Sequence, residues 1–282
     1  MLNIGEYHVL KAVRKKDYGY FLQNEEGDSV LLPTSCIGKE RVRIDDVLNV
    51  FVYKDSLDRP VASLAKPFVT AGEVGYLKVV MKTEFGAFIS IGLDRDIFVP
   101  IKEQRFEIKE NEKYLFYIYV DKTGRLAGTT DVEPYLRPLE EADNITYKVG
   151  DEMEAVVYSA TPAGTLNVAI DCKYKGLVLP NEYFQSVYPG IELKLRVKRL
   201  YEDGVIGFSS RQKRLIERSS LQESILKHMD INGGFMAFND KSAPEDIKAT
   251  FNTSKNYFKM ALGGLMKEGK IAQDLEGTRI VK

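Results

Sequence analysis

The chain has 282 residues, 44% of them hydrophobic and 29% charged, and its 40 Lys and Arg against 41 Asp and Glu leave a net charge of −1. That length is two to three times a typical single domain, so several separate cores are expected, and the composition excludes extended disorder and fibrous repeats. A near-neutral chain lacks the overall positive excess common in nucleic-acid binders, so any phosphate-binding surface must be local.

In chain order, Met1 to Lys16 mixes Glu6, His8, Lys11 and Arg14 with apolar residues, unlike the continuous apolar core of a secretion signal. The longest apolar run, Tyr114 to Val120, is far short of the roughly 20 residues of a membrane-spanning helix. A cytoplasmic protein with no membrane partner is expected.

Three similar segments then follow one another. In the first, Tyr18-Gly19-Tyr20-Phe21 leads through Val30-Leu31-Leu32-Pro33 to Val50-Phe51-Val52-Tyr53, then to Asp55 through Arg59 and Ser63-Leu64. In the second, Phe85-Gly86-Ala87-Phe88 leads through Ile97-Phe98-Val99-Pro100 to Leu115 through Val120, then to Asp121 through Arg125 and Gly128-Thr129. The spacing from Gly19 to Pro33 equals that from Gly86 to Pro100. The third copy is looser: Gly164-Thr165-Leu166, Val178-Leu179-Pro180, Leu193 through Val197, and Val205 through Ser209. Each copy reads as about five short strands rich in Val, Ile, Tyr and Phe, broken by Gly, Asp or Pro. Five such strands can close a small barrel of the OB type, whose strands two and three offer a face to an oligonucleotide.

Between copies two and three, the prolines and acids of Glu133-Pro134-Tyr135-Leu136-Arg137-Pro138-Leu139-Glu140-Glu141 predict a linker that splits the array two plus one. After Arg211 the pattern changes. Leu221, Ile225, Leu226 and Met229 recur at helical spacing behind Ser219 and Ser220 as N-cap candidates, and Gly233 through Phe238 reads as a brief strand. Ser242-Ala243-Pro244-Glu245 opens a second helix with a cap, a first-turn proline and an early acid. A third helix from Ser254 carries the stripe Phe258, Ala261, Leu262, Leu265 and Met266 and stops at Gly269; a hairpin turning at Glu276-Gly277 closes the chain. The expected fold is mainly β with an α+β C-terminus: three tandem five-stranded OB-fold barrels at 1–69, 70–132 and 148–213, a linker at 133–147, and a winged-helix domain at 214–282.

The repeat resembles, over residues 1–213, the OB domain of the largest small-subunit ribosomal protein, here the S-one type. The resemblance implies two aromatics flanking a glycine at the start of strand two: Tyr18 and Phe21 in copy one, Phe85 and Phe88 in copy two. It also implies an acid followed four positions later by arginine, matched by Asp55 with Arg59 and Asp121 with Arg125. Copy three departs, with Ala163 and Leu166 at the aromatic positions and no Asp/Arg pair, and Pro33, Pro100 and Pro180 stand where many members carry histidine. Taken whole, the chain resembles the conserved virulence factor B family of bacterial regulators, which implies RNA binding and post-transcriptional control.

Elementary chemistry points the same way. An exposed aromatic gains ~1–3 kcal/mol per stacked base without reading sequence, while a nearby cation holds the backbone. The alternative reading of the aromatics is barrel core, and of the Asp/Arg pairs a rim ion pair. In copy three, Lys173 and Lys175 flank Tyr174, and Lys194, Arg196 and Lys198 alternate along the fourth strand before Arg199, with Tyr183 and Tyr201 interleaved. From Ile191 to Arg218 eight basic residues, Arg211, Lys213, Arg214 and Arg218 among them, face four acidic ones. On the third helix, Lys255, Asn256, Lys259 and Lys267 lie off the apolar stripe, as a recognition helix requires, and the adjacent Gly263-Gly264 has no account beyond close packing.

Catalysis is not expected. His8 and His228 are the only histidines and fit no metal-ligand pattern; Cys36 and Cys172 lack zinc or redox spacing; no Walker-type or dinucleotide loop occurs; and Asp94-Arg95-Asp96 reads as a turn. The expectation is a cofactor-free, metal-free binder of single-stranded RNA. The alternatives are a regulator reading duplex DNA through the winged helix and a ribosome-associated protein-contact scaffold.

Overall fold

A computed structural model describes residues 2–281 apart from 141, 142, 144, 184, 185 and 211–213, and of 214–220 it describes the backbone alone. Barrel one comprises β1 (Glu6–Lys16), β2 (Gly19–Gln23), β3 (Ser29–Pro33), β4 (Val47–Lys54) and β5 (Pro60–Ser63), closed in the order β1-β2-β3-β5-β4. Barrel two repeats it with β6 (Val74–Thr83), β7 (Gly86–Ser90), β8 (Ile97–Pro100), β9 (Lys113–Val120) and β10 (Leu126–Thr129). Barrel three does so with β11 (Glu152–Ala160), β12 (Leu166–Ile170), β13 (Tyr174–Val178), β14 (Glu192–Leu200) and β15 (Ile206–Ser209).

Closure with so few strands depends on the long first strand of each barrel. A bulge sits mid-strand each time, at Ala12/Arg14, Val79/Met81 and Val157/Ser159. The bulge bends the strand so that its first half pairs with strand four and its second half with strand two. Alternate residues turn inward: Leu10, Ala12, Leu22, Leu32, Val50 and Val52 are fully buried in barrel one, and Val79, Ile89, Val99, Phe116 and Ile118 in barrel two.

The repeated glycine-to-proline spacing is a hairpin register. Gly19 lies directly across from Pro33, and Gly86 from Pro100. A Cβ would stand 2.2 Å from the Leu32 carbonyl oxygen at Gly19 and 2.3 Å from that of Val99 at Gly86, so only glycine fits where the strands cross.

The barrels differ at the seam where strands three and five meet in parallel. In barrel one the seam is a single register pair, Leu31 with Val61, and in barrel two a single pair, Phe98 with Ala127. Barrel three zips over three pairs, from Gly176 with Ile206 to Val178 with Phe208. The segment after residue 133 lengthens that zipped edge: the Arg137 amide donates to the Lys173 carbonyl (3.0 Å), the Lys175 amide donates to the Arg137 carbonyl (2.9 Å), and Leu139 donates to Gly204 (3.0 Å).

The two-plus-one division does not describe the contacts. Leu115, Val132, Leu136, Val156, Tyr158 and Ala169 form a buried cluster shared by barrels two and three, Tyr135 stacks on Tyr117, and the Tyr76 hydroxyl donates to the Gly190 carbonyl at 2.7 Å. Prolines and acids mark a break in regular structure, which is not a break in packing. Barrels one and two are joined by Phe51, Tyr53 and Val61 packed against Leu93 and Leu126.

The C-terminal region holds α1 (Arg214–Ile231), β16 (Phe235–Met236), α2 (Pro244–Phe251), α3 (Lys255–Lys267), β17 (Ile271–Gln273) and β18 (Thr278–Ile280), with sheet order β16-β18-β17. Ile225, Met229, Ile247, Phe258, Leu262 and Leu265 make its core. The cap at Ser254 is present, its hydroxyl accepting from the Tyr257 amide, and Gly269 at φ +70° ends α3 with paired bonds from Gly269 to Met266 and Lys270 to Leu265. The other caps differ from expectation. Ser219 and Ser220 lie inside α1, which already runs from Arg214, and Ala243 occupies the N-cap of α2 while the Ser242 hydroxyl accepts from the Asn239 amide. Met266 is 39% exposed and leaves the stripe, and Gly263 faces open space, so close packing does not explain it.

Candidate nucleic-acid interface

The aromatic that precedes the crossing glycine is presented outward in both of the first two barrels. Tyr18 is 57% exposed and Phe85 70% exposed, so neither is barrel core. Each is held from behind by the turn after the proline: the Thr34 amide donates to the Tyr18 carbonyl (3.1 Å) and the Ile101 amide to the Phe85 carbonyl (3.0 Å). Phe21 and Phe88 are half-buried beside them. Tyr18 and Phe21 meet edge-to-face at 6.4 Å, and the Arg14 guanidinium lies 4.1 Å over the Phe21 ring. In barrel two a third ring joins, Phe98, directly across from Phe88 with centroids 5.2 Å apart. Arg14 and Phe98 were not singled out by motif, yet the Gly86–Pro100 register alone puts Phe98 opposite Phe88.

Grooves run along the seams where strands three and five meet. That of barrel one, about 930 Å³, is lined by Tyr18, Phe21, Leu31, Arg59 and Val61, and that of barrel two, about 700 Å³, by Phe88, Phe98, Lys102, Lys122 and Arg125. A joint of about 270 Å³ between them shares Tyr53, Ser56 and Arg95 with the first and Phe88, Phe98 and Arg125 with the second. The surfaces are therefore one track across two barrels.

The acids of the Asp/Arg motif build turns. One Asp55 oxygen accepts from the amides of Leu57 (2.8 Å) and Arg59 (3.0 Å), and Asp121 accepts likewise from Thr123 (2.8 Å) and Arg125 (3.0 Å). Asp58 at φ +61° and Gly124 at φ +74° make the left-handed step each turn needs. The arginines then diverge. Arg59 closes back on Asp55 through Nε (3.0 Å) and Nη2 (2.7 Å), whereas Arg125 reaches across to both carboxylate oxygens of Asp58 in barrel one. Hydrogen bonding from Arg125 holds the Asp58 carboxyl below its ordinary range. The Lys54 ammonium donates to the Thr123 carbonyl at 2.6 Å, so the two turns clasp each other.

Barrel three presents no such platform. Ala163 is exposed, and Leu166 and Tyr174 lie in the core. Lys194, Arg196 and Lys198 do alternate outward along β14, but they are engaged: Lys194 (3.8 Å) and Arg196 (2.8 Å) on Glu152, and Lys198 on the buried Glu182. Lys173 is exposed and Lys175 half-buried beside Tyr174. Tyr183 donates to the Gly164 carbonyl (2.6 Å), and Arg199 covers Tyr201 at 4.9 Å. Arg211 and Lys213 lie outside the described residues, as do the side chains of Arg214 and Arg218.

On α3, Lys255 donates to the Lys241 carbonyl (3.1 Å) and Lys259 stands 3.7 Å from Asp240, while Asn256 and Lys267 are exposed. The hairpin tip that would be the wing carries Asp274 and Glu276, both bound to Arg279. Among the described residues no group of His, Cys, Asp and Glu could hold a metal ion, and no helix is long and apolar enough to cross a membrane. Burial raises the thiols of Cys36 and Cys172 above their ordinary range, which makes them poor nucleophiles.

Comparison with known proteins matches this arrangement. The S1 domain family matches residues 4–65 and 71–131, and the CvfB-like winged helix domain matches 223–280. The uncharacterized protein YitL of Bacillus subtilis is 31% identical over 278 residues, 96% of this chain and 91% of that one. Conserved virulence factor B of Staphylococcus epidermidis is 27% identical, covering 94% of this chain and 90% of its own. That of Staphylococcus aureus is 26% identical, covering 97% and 95%. A crystal structure of a multidomain protein with nucleic acid binding domains from Streptococcus pneumoniae superposes with a TM-score of 0.53 at 28% identity over 99% of both chains. With relatives matching along nearly its full length, S1 domains leading and the family's own winged helix following, the chain belongs to the conserved virulence factor B family.

Proposed function

We propose that the protein binds single-stranded RNA along the joined grooves of barrels one and two and acts in the cytoplasm as a post-transcriptional regulator of bacterial gene expression. The observation that carries the reading is the continuity of the track: Tyr18 with Phe21 lines the groove of barrel one, Phe88 with Phe98 lines that of barrel two, and the joint shares lining residues with each. Rings that present a face to any base, with cations alongside, suit an unpaired strand and cannot enter the stack of a duplex. Two weak sites on one strand add through effective concentration. The S1 and winged-helix families are nucleic-acid-binding rather than enzyme families, and the pneumococcal neighbour is described as carrying nucleic acid binding domains.

The duplex-DNA reading draws less support, because Lys255 and Lys259 of α3 are engaged within the domain and the hairpin tip bears two carboxylates. Fluorescence anisotropy of a labelled single-stranded RNA of roughly 20 nucleotides, competed by unlabelled RNA and by duplex DNA, tests the proposal. Displacement by RNA and not by duplex supports it. Preferential displacement by duplex transfers the function to the winged helix, and no binding of either leaves a protein-contact scaffold.

A further inference from the structure

The motif arginines are poor candidates for holding phosphate, because both are already bound to carboxylates: Arg59 to Asp55 and Arg125 to Asp58. Lys54 is tied to the Thr123 carbonyl. The remaining cations that line the track are Arg95, Lys102 and Lys122. All three are exposed, and among the described residues none makes an ion pair or a side-chain hydrogen bond.

Arg95 has a distinctive place. It lies in the turn between β7 and β8 of barrel two, yet it lines the groove of barrel one as well as the joint. Its turn is pinned to barrel one on both sides: Leu93 packs on Phe51, Tyr53 and Val61, and the Asp94 carboxylate accepts from the Cys36 thiol at 3.6 Å. Asp94 lines the same groove with its carboxylate on that thiol, and among the described residues neither Asp94 nor Asp96, which also lines the joint, makes an ion pair with Arg95. Beyond the joint, Lys102 stands in the short turn after β8 and Lys122 in the turn between β9 and β10, on the walls of the barrel-two groove.

We propose that Arg95, Lys102 and Lys122 are the phosphate contacts of the track, with Arg95 gripping the backbone where the strand passes from barrel one to barrel two. The inference rests on the single-strand reading above. An unpaired guanidinium between two aromatic platforms meets the backbone while the bases stack on either side, and its fork can take two phosphate oxygens at once. The turn read in sequence as mere punctuation, Asp94-Arg95-Asp96, is then the joint of the binding site.

The test uses the full chain and a labelled polyuridine RNA of about 20 nucleotides, titrated between roughly 50 and 200 mM salt, with Arg95→Gln and Lys102→Gln/Lys122→Gln variants whose folding is checked by thermal melts. Each lost contact should lower the slope of log K against log salt by roughly 0.7, and the double variant by about twice that, with weaker binding at low salt. Wild-type binding with an unchanged slope and affinity in Arg95→Gln overturns this inference and leaves the single-strand reading standing. Absence of wild-type binding overturns both.

Discussion

The Arg125 guanidinium is held by Asp58 of the neighbouring barrel and not by Asp121, the acid four residues earlier in its own turn. Asp121 is occupied with backbone amides, so the arginine is available to close the joint between barrels. Replacing Asp58 by Asn releases it. The pair is exposed, so the melting temperature should hardly change. The salt slope of RNA binding should instead steepen by roughly 0.7 as Arg125 becomes available to phosphate, read in the same anisotropy titration.

The same contact has a pH dependence with a defined sign. Because Arg125 lowers the Asp58 carboxyl, its contribution is fully present above the ordinary carboxylate range near 4 and is lost only as pH falls through the lowered folded value. A carboxyl carbon titration of Asp58 by NMR should move below that of exposed aspartates in wild type and return to the ordinary range in Arg125→Gln.

The platform rings should separate binding from stability. Phe85→Ala removes an exposed ring, so its melting temperature should stay within a degree or two while RNA binding falls by ~1–3 kcal/mol. Phe88→Ala strips a half-buried ring from Phe98 and should lower both affinity and melting temperature.

Two glycines of opposite character give a second pair of variants. Gly263→Ala on α3 meets open space and should stabilise by about 1 kcal/mol. Gly86→Ala drives a methyl into the Val99 carbonyl and should destabilise barrel two, both effects being read by thermal or urea melts.

In barrel three, Lys198→Gln leaves the buried Glu182 without its cation and should cost about 1–3 kcal/mol. Lys194→Gln, on the exposed face, should leave both the melt and RNA binding essentially unchanged. A loss of affinity in Lys194→Gln would return barrel three to the binding surface.

Much of the fold was legible because it is written in local spacing. The Gly19–Pro33 and Gly86–Pro100 intervals are hairpin registers, Ser254 and Gly269 bound a helix, and the alternation of Lys194, Arg196 and Lys198 is a strand face. What could not be read is what comes from afar in sequence. Glu152 and Glu182 neutralise that strand face from other elements, Asp58 takes Arg125 across a domain boundary, and the packed segment around Leu136 looked like a linker because its proline and acid content says nothing about burial. Arg95 was invisible for the same reason: its significance lies in which neighbouring barrel its turn leans on.

A wall closed by one rung parts more readily than a wall closed by three. Where Leu31 meets Val61 and Phe98 meets Ala127, brief separation breaks one pairing and leaves the remaining strands of the barrel hydrogen-bonded. In amide exchange those two rungs should protect their protons less than the zipped edge from Gly176 to Val178, which the Arg137 bridge to Tyr174 extends. On the single-strand reading, the first two barrels would then give at the seams that line their grooves, and the third would not.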